Sequence, residues 1–321
     1  MDALTHQEKG KIPQKLLDIE SEHRKLLDES IPENTKKAYR NDWNHFIQWC
    51  EDNNLNPLPA DKKTVVLYLT DIKDQYKPTT IERRITSISK IHQYAGEETP
   101  TQNTEVRETL NAIKRVKEST VDKKDPLLTD HIIQICVTMG NRLIDKRDKS
   151  LILVGFASGM RRSGLVSLNV DDINITDKGL RVTIKKSKTD QEGKGRQIGI
   201  AHGKNKSTDP VSAYKQWLER SGIEEGAVFR SVGKDGKVKT KRLKGYSVSR
   251  IVKKHAKRIG MDPDSVSSHS LRSGLVTQSC MNELSIFSIM EQTGHKSQSV
   301  VREYYKPATI FQDNASSKLG L

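Results

Sequence analysis

Three short stretches gather residues that could act on a phosphate: FASGMRRSGLVSL (156–168), SSHSLRSGLVTQ (267–278) and QTGHKSQSVVREYYKPA (292–308). Moving a phosphoryl group without a metal needs cations around the phosphorus, a nucleophile in line with the leaving oxygen, and an acid to protonate that oxygen. The first stretch sets Arg161 between a Ser-Gly bend and a helix, where a planar guanidinium can face two phosphate oxygens at once, which a lysine cannot do. The second gives His269 and Arg272, three residues apart and so on one helix face: an imidazole that titrates near neutrality beside a second guanidinium. The third puts His295 at a turn, where a ring nitrogen could donate to a phosphate oxygen, followed by Tyr304 and Tyr305. Taken singly, each also reads as ordinary structure: a surface arginine, a capping histidine beside a solvated arginine, a structural histidine. No DxD pair, HExxH or histidine–carboxylate cluster offers ligands for Mg²⁺ or Zn²⁺, so neither a metal nor another cofactor is expected.

The order of these signals is more specific than any one of them. Arg161, then Lys188 in the strand turn KKSKTDQ, then His269 and Arg272, then His295 and finally a tyrosine resembles the tyrosine recombinase (phage integrase) family, over residues from about 34 to 305. The resemblance implies a nucleophile nine residues after the last histidine, which is Tyr304, with Tyr305 as its packing neighbour. It implies that Arg161, Arg272 and His295 hold the non-bridging oxygens, that His269 accepts the tyrosine proton, and that Lys188 protonates the departing 5′ oxygen. The product would be a 3′-phosphotyrosyl bond and a free 5′-hydroxyl, with no need for ATP because the covalent bond stores the energy. One position departs from the family: where an acidic residue commonly stands three after the first arginine, this chain has Gly164, and Asp171 or Asp172 is the candidate substitute. The simple Cre/Xer-like type fits best, with double-stranded DNA as partner and four protomers on two sites. The alternatives are a type IB topoisomerase and a DNA-binding regulator with a decayed active site.

Composition agrees without deciding. Lys plus Arg outnumber Asp plus Glu by 55 to 41, a formal +14, which suits a polyanionic partner. The longest apolar stretch, LILVGFA (151–157), is too short to cross a bilayer, and the N-terminus carries no secretion signal, so no membrane role and a cytoplasmic place are expected, nucleoid-associated in a prokaryote. Cys50, Cys136 and Cys280 stand far apart and read as buried reduced thiols.

These residues need elements to hold them. Residues 1–29 read as a mobile or partner-dependent helix. In 30–118 four amphipathic helices are expected, with Ser30 and Thr35 as caps of the first and Tyr39, Trp43, Phe46, Ile47 and Cys50 on its inner face. Ile81, Ile85, Ile88 and Ile91 form a second stripe, with Arg83, Arg84 and Lys90 facing elsewhere as candidate DNA contacts. A linker (119–126) leads to a domain at 127–306, in which LRVTIKKSK and RQIGIAH read as strands and AVFRSVG as a possible third. A tail (307–321), bearing Ile310, Phe311 and Leu319, could be swapped between protomers. The expected fold is mainly α with a small antiparallel β-sheet. By the resemblance, this is an N-terminal all-α, SAM-like core-binding domain followed by an α+β catalytic domain.

Overall fold

A computed structural model describes residues 31–117, 124–185 and 195–308, together with Leu319. The readings of residues 1–29, of Lys188, of most of the linker and of the rest of the tail lie outside the described residues. The chain divides into two compact units, Met1–Asp122 and Lys123–Leu321.

Within the first unit, α1 (Glu33–Asp52), α2 (Lys62–Ile72), α3 (Pro78–Ala95) and α4 (Thr104–Val116) pack around Phe46, Tyr68, Leu69, Ile81 and Ile88, all buried. Local chemistry sets the helix starts. The Asp61 side chain accepts the Thr64 N–H ahead of α2, Pro78 opens α3 with its φ already helical, and Asn103 accepts the Glu105 N–H ahead of α4. α1 departs from expectation, because Pro32 precedes it with no side-chain cap and Thr35 lies inside the helix.

The second unit opens with α5 (Thr129–Val137), α6 (Leu143–Ser158) and the single turn-and-a-half of α7 (Arg162–Ser167). The apolar run 151–157 lies inside α6, and Leu151, Ile152, Leu153 and Val154 are buried on successive positions, as expected for a helix enclosed by neighbours on most sides. Strands β1 (Ile173–Thr176), β2 (Gly179–Ile184) and β3 (Arg196–Ala201) make an antiparallel sheet in chain order, with Ile173 opposite Val182 and Leu180 opposite Ile200. Alternation decides its faces: Leu180, Val182, Ile184, Ile198 and Ile200 point into the core. The expected third strand belongs elsewhere. β4 (Arg230–Val232) pairs with β5 (Val238–Arg242) in a separate two-stranded sheet, and the strand beside β2 is β1, too short to show a period in sequence.

Helices α8 (Pro210–Ser221), α9 (Gly245–Arg258), α10 (His269–Met281), α11 (Ile286–Thr293) and α12 (Gln298–Ala308) complete this unit. Asp209 caps α8 by accepting the Val211 and Ser212 N–H groups, and also takes that of Gly203. Although burial pushes its carboxyl up, these bonds more than offset it and hold its pKa at about 2. α10 runs through the middle of the unit, and Gly274 is what lets it. A Cβ there would fall 2.0 Å from the Leu127 carbonyl oxygen. All three cysteines are buried and unbridged.

Candidate active site

Arg272 joins the three motifs. It is the fourth residue of α10, 2% exposed, and its Nη1 donates to the carbonyl of Gly159 (2.5 Å) and to that of Thr293 (2.6 Å). Gly159 ends α6 two residues before Arg161, and Thr293 ends α11 two residues before His295. Carbonyls at helix C-termini carry partial negative charge and are otherwise unpaired, so one guanidinium satisfies two helix ends and draws both flanking turns to the same point. Nη2 of Arg272 is buried with no partner among the described residues. Burial, with the nearby charges of Arg161 and Arg196, pushes this guanidinium down to about 10, so it keeps its proton at neutral pH.

Arg161 stands at the N-cap of α7 in extended backbone and lines a cavity of about 540 Å³ with Gly164, Asp172, Lys185, Arg196 and Arg272. Arg196, the first residue of β3, was not singled out by the sequence motifs. Its signal is its phase: it shares the inward face of β3 with Ile198 and Ile200, an arginine where the alternation calls for an apolar residue. Its Nη1 donates to the carbonyls of Glu291 (2.6 Å) and Gln292 (3.1 Å), again in the last turn of α11. No described carboxylate lies at ion-pair distance from Arg161, Arg196 or Arg272.

Tyr304 is placed by the face of α12 that carries Val301. Val301 is fully buried against Val276, Cys280 and Ile289, and Tyr304, one turn on, packs on the same cluster. Its hydroxyl lies 3.1 Å from Nε2 of His269, the first residue of α10. Burial, then Arg272 and Arg161, lower the pKa of His269, so the ring is neutral at physiological pH and can accept a proton.

His295 is half-buried, and its pKa is pushed down to about 4 by burial and by Arg272, Arg161, His269 and Arg196. Its tautomer follows from its neighbour. The Thr293 hydroxyl is 2.6 Å from the Ile289 carbonyl, to which it donates, so its oxygen can only accept at the 2.8 Å contact with His295 Nδ1. Nδ1 therefore carries the hydrogen and Nε2 is bare. In the free protein this ring cannot donate to a phosphate oxygen through Nε2; it must first be protonated, which an incoming phosphate anion favours.

The remaining sequence candidates are distributed less evenly. Lys188, and the side chain of Tyr305, lie outside the described residues. Gly164 lines the cavity, and a Cβ there would meet only the flexible end of Met160 at 3.2 Å. Of the two candidate substitutes for an acid, Asp171 is exposed, whereas Asp172 is buried beside the cavity, accepts the Asn169 N–H, and has Lys185 Nζ 2.6 Å from its Oδ1, close but not aligned as a hydrogen bond. In the first unit, Arg84 corrects the expectation. It is 6% exposed and points inward, donating to Tyr68 and contacting His45, with its guanidinium 3.9 Å over the Tyr76 ring. Arg83 is exposed but bidentate to the buried Asp42, and Lys90 reaches Gln93 on its own helix. Isoleucine spacing alone placed Arg84 outside, because the polar network that receives it is drawn from α1, α2 and the turn that follows α2.

The phage integrase family profile matches residues 127–309, and that of the phage integrase N-terminal SAM-like domain matches residues 24–99. Among the relatives, an integrase/recombinase xerD homolog of Selenomonas ruminantium is 34% identical over 300 residues, covering 92% of this chain and 88% of the relative. Tyrosine recombinase XerD of Proteus mirabilis is 25% identical over 290 residues, covering 88% and 86%. Two solved structures share the fold. The Tn1549 transposon integrase in complex with transposon right end DNA superposes with a TM-score of 0.63 at 14% identity, over 90% of this chain and 93% of that one. A lambda integrase dimer bound to a COC′ core site gives 0.58 at 19% identity, over 92% and 82%.

Proposed function

The chain belongs to the phage integrase family of tyrosine recombinases, and from that premise we propose that this site-specific recombinase cuts and rejoins DNA through Tyr304. The observation that carries the assignment of the nucleophile is the 3.1 Å approach of the Tyr304 hydroxyl to His269 Nε2, next to a guanidinium anchored by two helix ends.

Tyr304 Oη attacks the scissile phosphorus while His269 takes its proton. A bond forms from Oη to phosphorus and the bond to the 5′ oxygen breaks, with Lys188 protonating the departing oxygen. Arg161 and Arg272 hold the non-bridging oxygens, where charge grows in the transition state, and loss of either slows cleavage at least about 10²-fold. A 5′-hydroxyl of another strand then reverses the step, giving exchanged DNA. His295 joins the phosphate once protonated.

Four protomers act together on two sites. The tail residues Ile310, Phe311 and Leu319 suit an apolar surface, and Met281, Leu284 and Phe287 at the junction of α10 and α11 are exposed on this chain. No helix of the described residues is long and apolar enough to cross a membrane, and the DNA substrate sets the cytoplasm as the place of action.

The test is a library of nicked duplexes with randomised flanks, incubated with the protein, denatured, and sequenced from the covalently attached fraction. Wild type yields one recurrent site joined by its 3′ phosphate, and Tyr304→Phe yields none. Recovery of adducts from Tyr304→Phe would overturn the assignment. Relaxation of plasmids lacking paired sites would favour a topoisomerase.

A further inference from the structure

Three arginines line the cavity, two of them held by backbone carbonyls, and none has a described carboxylate at ion-pair distance although Asp172 lines the same cavity. Two of them, Arg196 and Arg272, use only Nη1 on the protein among the described residues. Besides Gly159, the carbonyls they hold belong to consecutive residues, Glu291, Gln292 and Thr293, so the C-terminal turn of α11 is gripped from β3 and from α10 together. Gln292 adds a third tie, its Nε2 donating to the carbonyls of Ala157 (2.9 Å) and Gly199 (3.0 Å). Carbonyl partners orient a guanidinium without cancelling its charge, whereas a carboxylate would do both. Arg196 also lies directly against the turn that carries His295. A Cβ on Gly294 would fall 2.8 Å from its Cζ.

We propose that Arg196 is a third phosphate-contacting guanidinium of this site, its Nη1 fixed on the end of α11 and its Nε and Nη2 turned to the DNA phosphate held by Arg161 and Arg272. This rests on the strand-transfer reading above. A surface arginine on β3 would have no reason to lie on the inward phase with Ile198 and Ile200, nor to enter a cavity already holding two like charges. That concentration of charge is unfavourable until an anion arrives. Burial first, and then the charge of Arg161, lower the pKa of Arg196 from the usual guanidinium value.

The test uses the nicked duplex recovered from the randomised library, made once with an ordinary phosphodiester and once with an uncharged methylphosphonate at the scissile position. Single-turnover adduct formation is compared for wild type, Arg196→Ala and Arg196→Lys, with melting temperature and duplex affinity measured for each. A residue that neutralises the phosphate loses its importance when the phosphate carries no charge. Arg196→Ala is expected to be about 10²-fold slower than wild type on the phosphodiester and within about threefold of it on the methylphosphonate. Arg196→Lys, a point charge without the fork, falls between the two, and carries the comparison if the alanine variant fails to fold. An equal loss on both substrates would reduce Arg196 to a structural clamp on α11, and wild-type rates on both would remove it from the site; either overturns the proposal. Failure of the strand-transfer reading shows separately, as adduct formation by Tyr304→Phe.

Discussion

For single side chains, this site is a problem in charge. Arg161, Arg196 and Arg272 share one cavity, and like charges gathered there repel one another, which the lowered pKa of Arg272 and of Arg196 partly reflects. Arg161 has repulsion from its neighbours and no protein hydrogen bond to offset it among the described residues. Arg161→Ala is therefore expected to raise the melting temperature of the DNA-free protein while slowing adduct formation at least about 10²-fold. A lower melting temperature would make Arg161 a structural residue. His295 offers a pH signature. Its pKa falls from an ordinary 6.5 to about 4, so between these values the unfolded chain binds more protons than the native one, and stability rises with pH across that window. The charges facing it are Arg272, Arg161, His269 and Arg196. His295→Gln should flatten the rise seen in denaturant titrations from pH 4 to 6.5; an unchanged slope would assign it to other groups.

At the scale of elements, catalysis depends on where helices end and how closely they pass. Gly294 has φ +69 at the C-cap of α11 and no space for a Cβ against Arg196, so both its backbone and its missing side chain set the course of the chain into His295. Gly274 answers to packing alone. It is an ordinary helical residue, but the Leu127 backbone, held by the Leu127 N–H donating to the Ser270 carbonyl, leaves no room for a methyl group. Gly274→Ala, which in an isolated helix would be stabilising, is expected to cost about 1–3 kcal/mol here because backbone must move. Chemical denaturation measures this, and a stabilised variant would contradict the packing. Since α10 carries both His269 and Arg272, loss of DNA cleavage should accompany the loss of stability.

Over the whole molecule, the second unit is braced by a buried ionic cluster far in sequence from the motifs. Asp148 of α6, 0% exposed, meets His255 Nε2 of α9 at 2.8 Å, Arg147 at 2.7 Å and Lys254 at 3.2 Å. Burial pushes its carboxyl up, but His255, Arg147 and Lys254 more than offset this and hold it below the usual range. Its contribution to stability is thus present above the ordinary carboxylate pKa and is lost as pH falls through the lowered one. Asp148→Asn would leave buried cations without their anion, and should cost about 3–5 kcal/mol. Urea titration measures that cost, and a loss under about 1 kcal/mol would mean the cluster is solvated. The formal +14 belongs to this scale too, as an attraction to DNA that weakens with salt without selecting a sequence.

Residue order by itself pointed to the chemistry proposed, through its resemblance to the phage integrase family. Arg161, His269, Arg272 and His295 sit in turns and helix starts whose local signals, Ser-Gly bends and Gly-His pairs, are visible within a few residues, and Tyr304 follows His295 at a fixed spacing. The helices of the first unit and strands β2 and β3 were legible for the same reason, since their periods are local. What only the tertiary structure decided are matters of contact across the chain. Arg84 turns inward because His45 of α1, Tyr68 of α2 and Tyr76 of the turn after α2 converge on it, and β1 is a strand because β2 pairs with it. Arg196 joins the site because α11 ends against β3, and His295 is neutral because the fold buries it and then brings three guanidinium groups and a second histidine near it. Charge and hydrogen bonding act over ångströms in space, and sequence spacing reports such distances only within a single turn or strand.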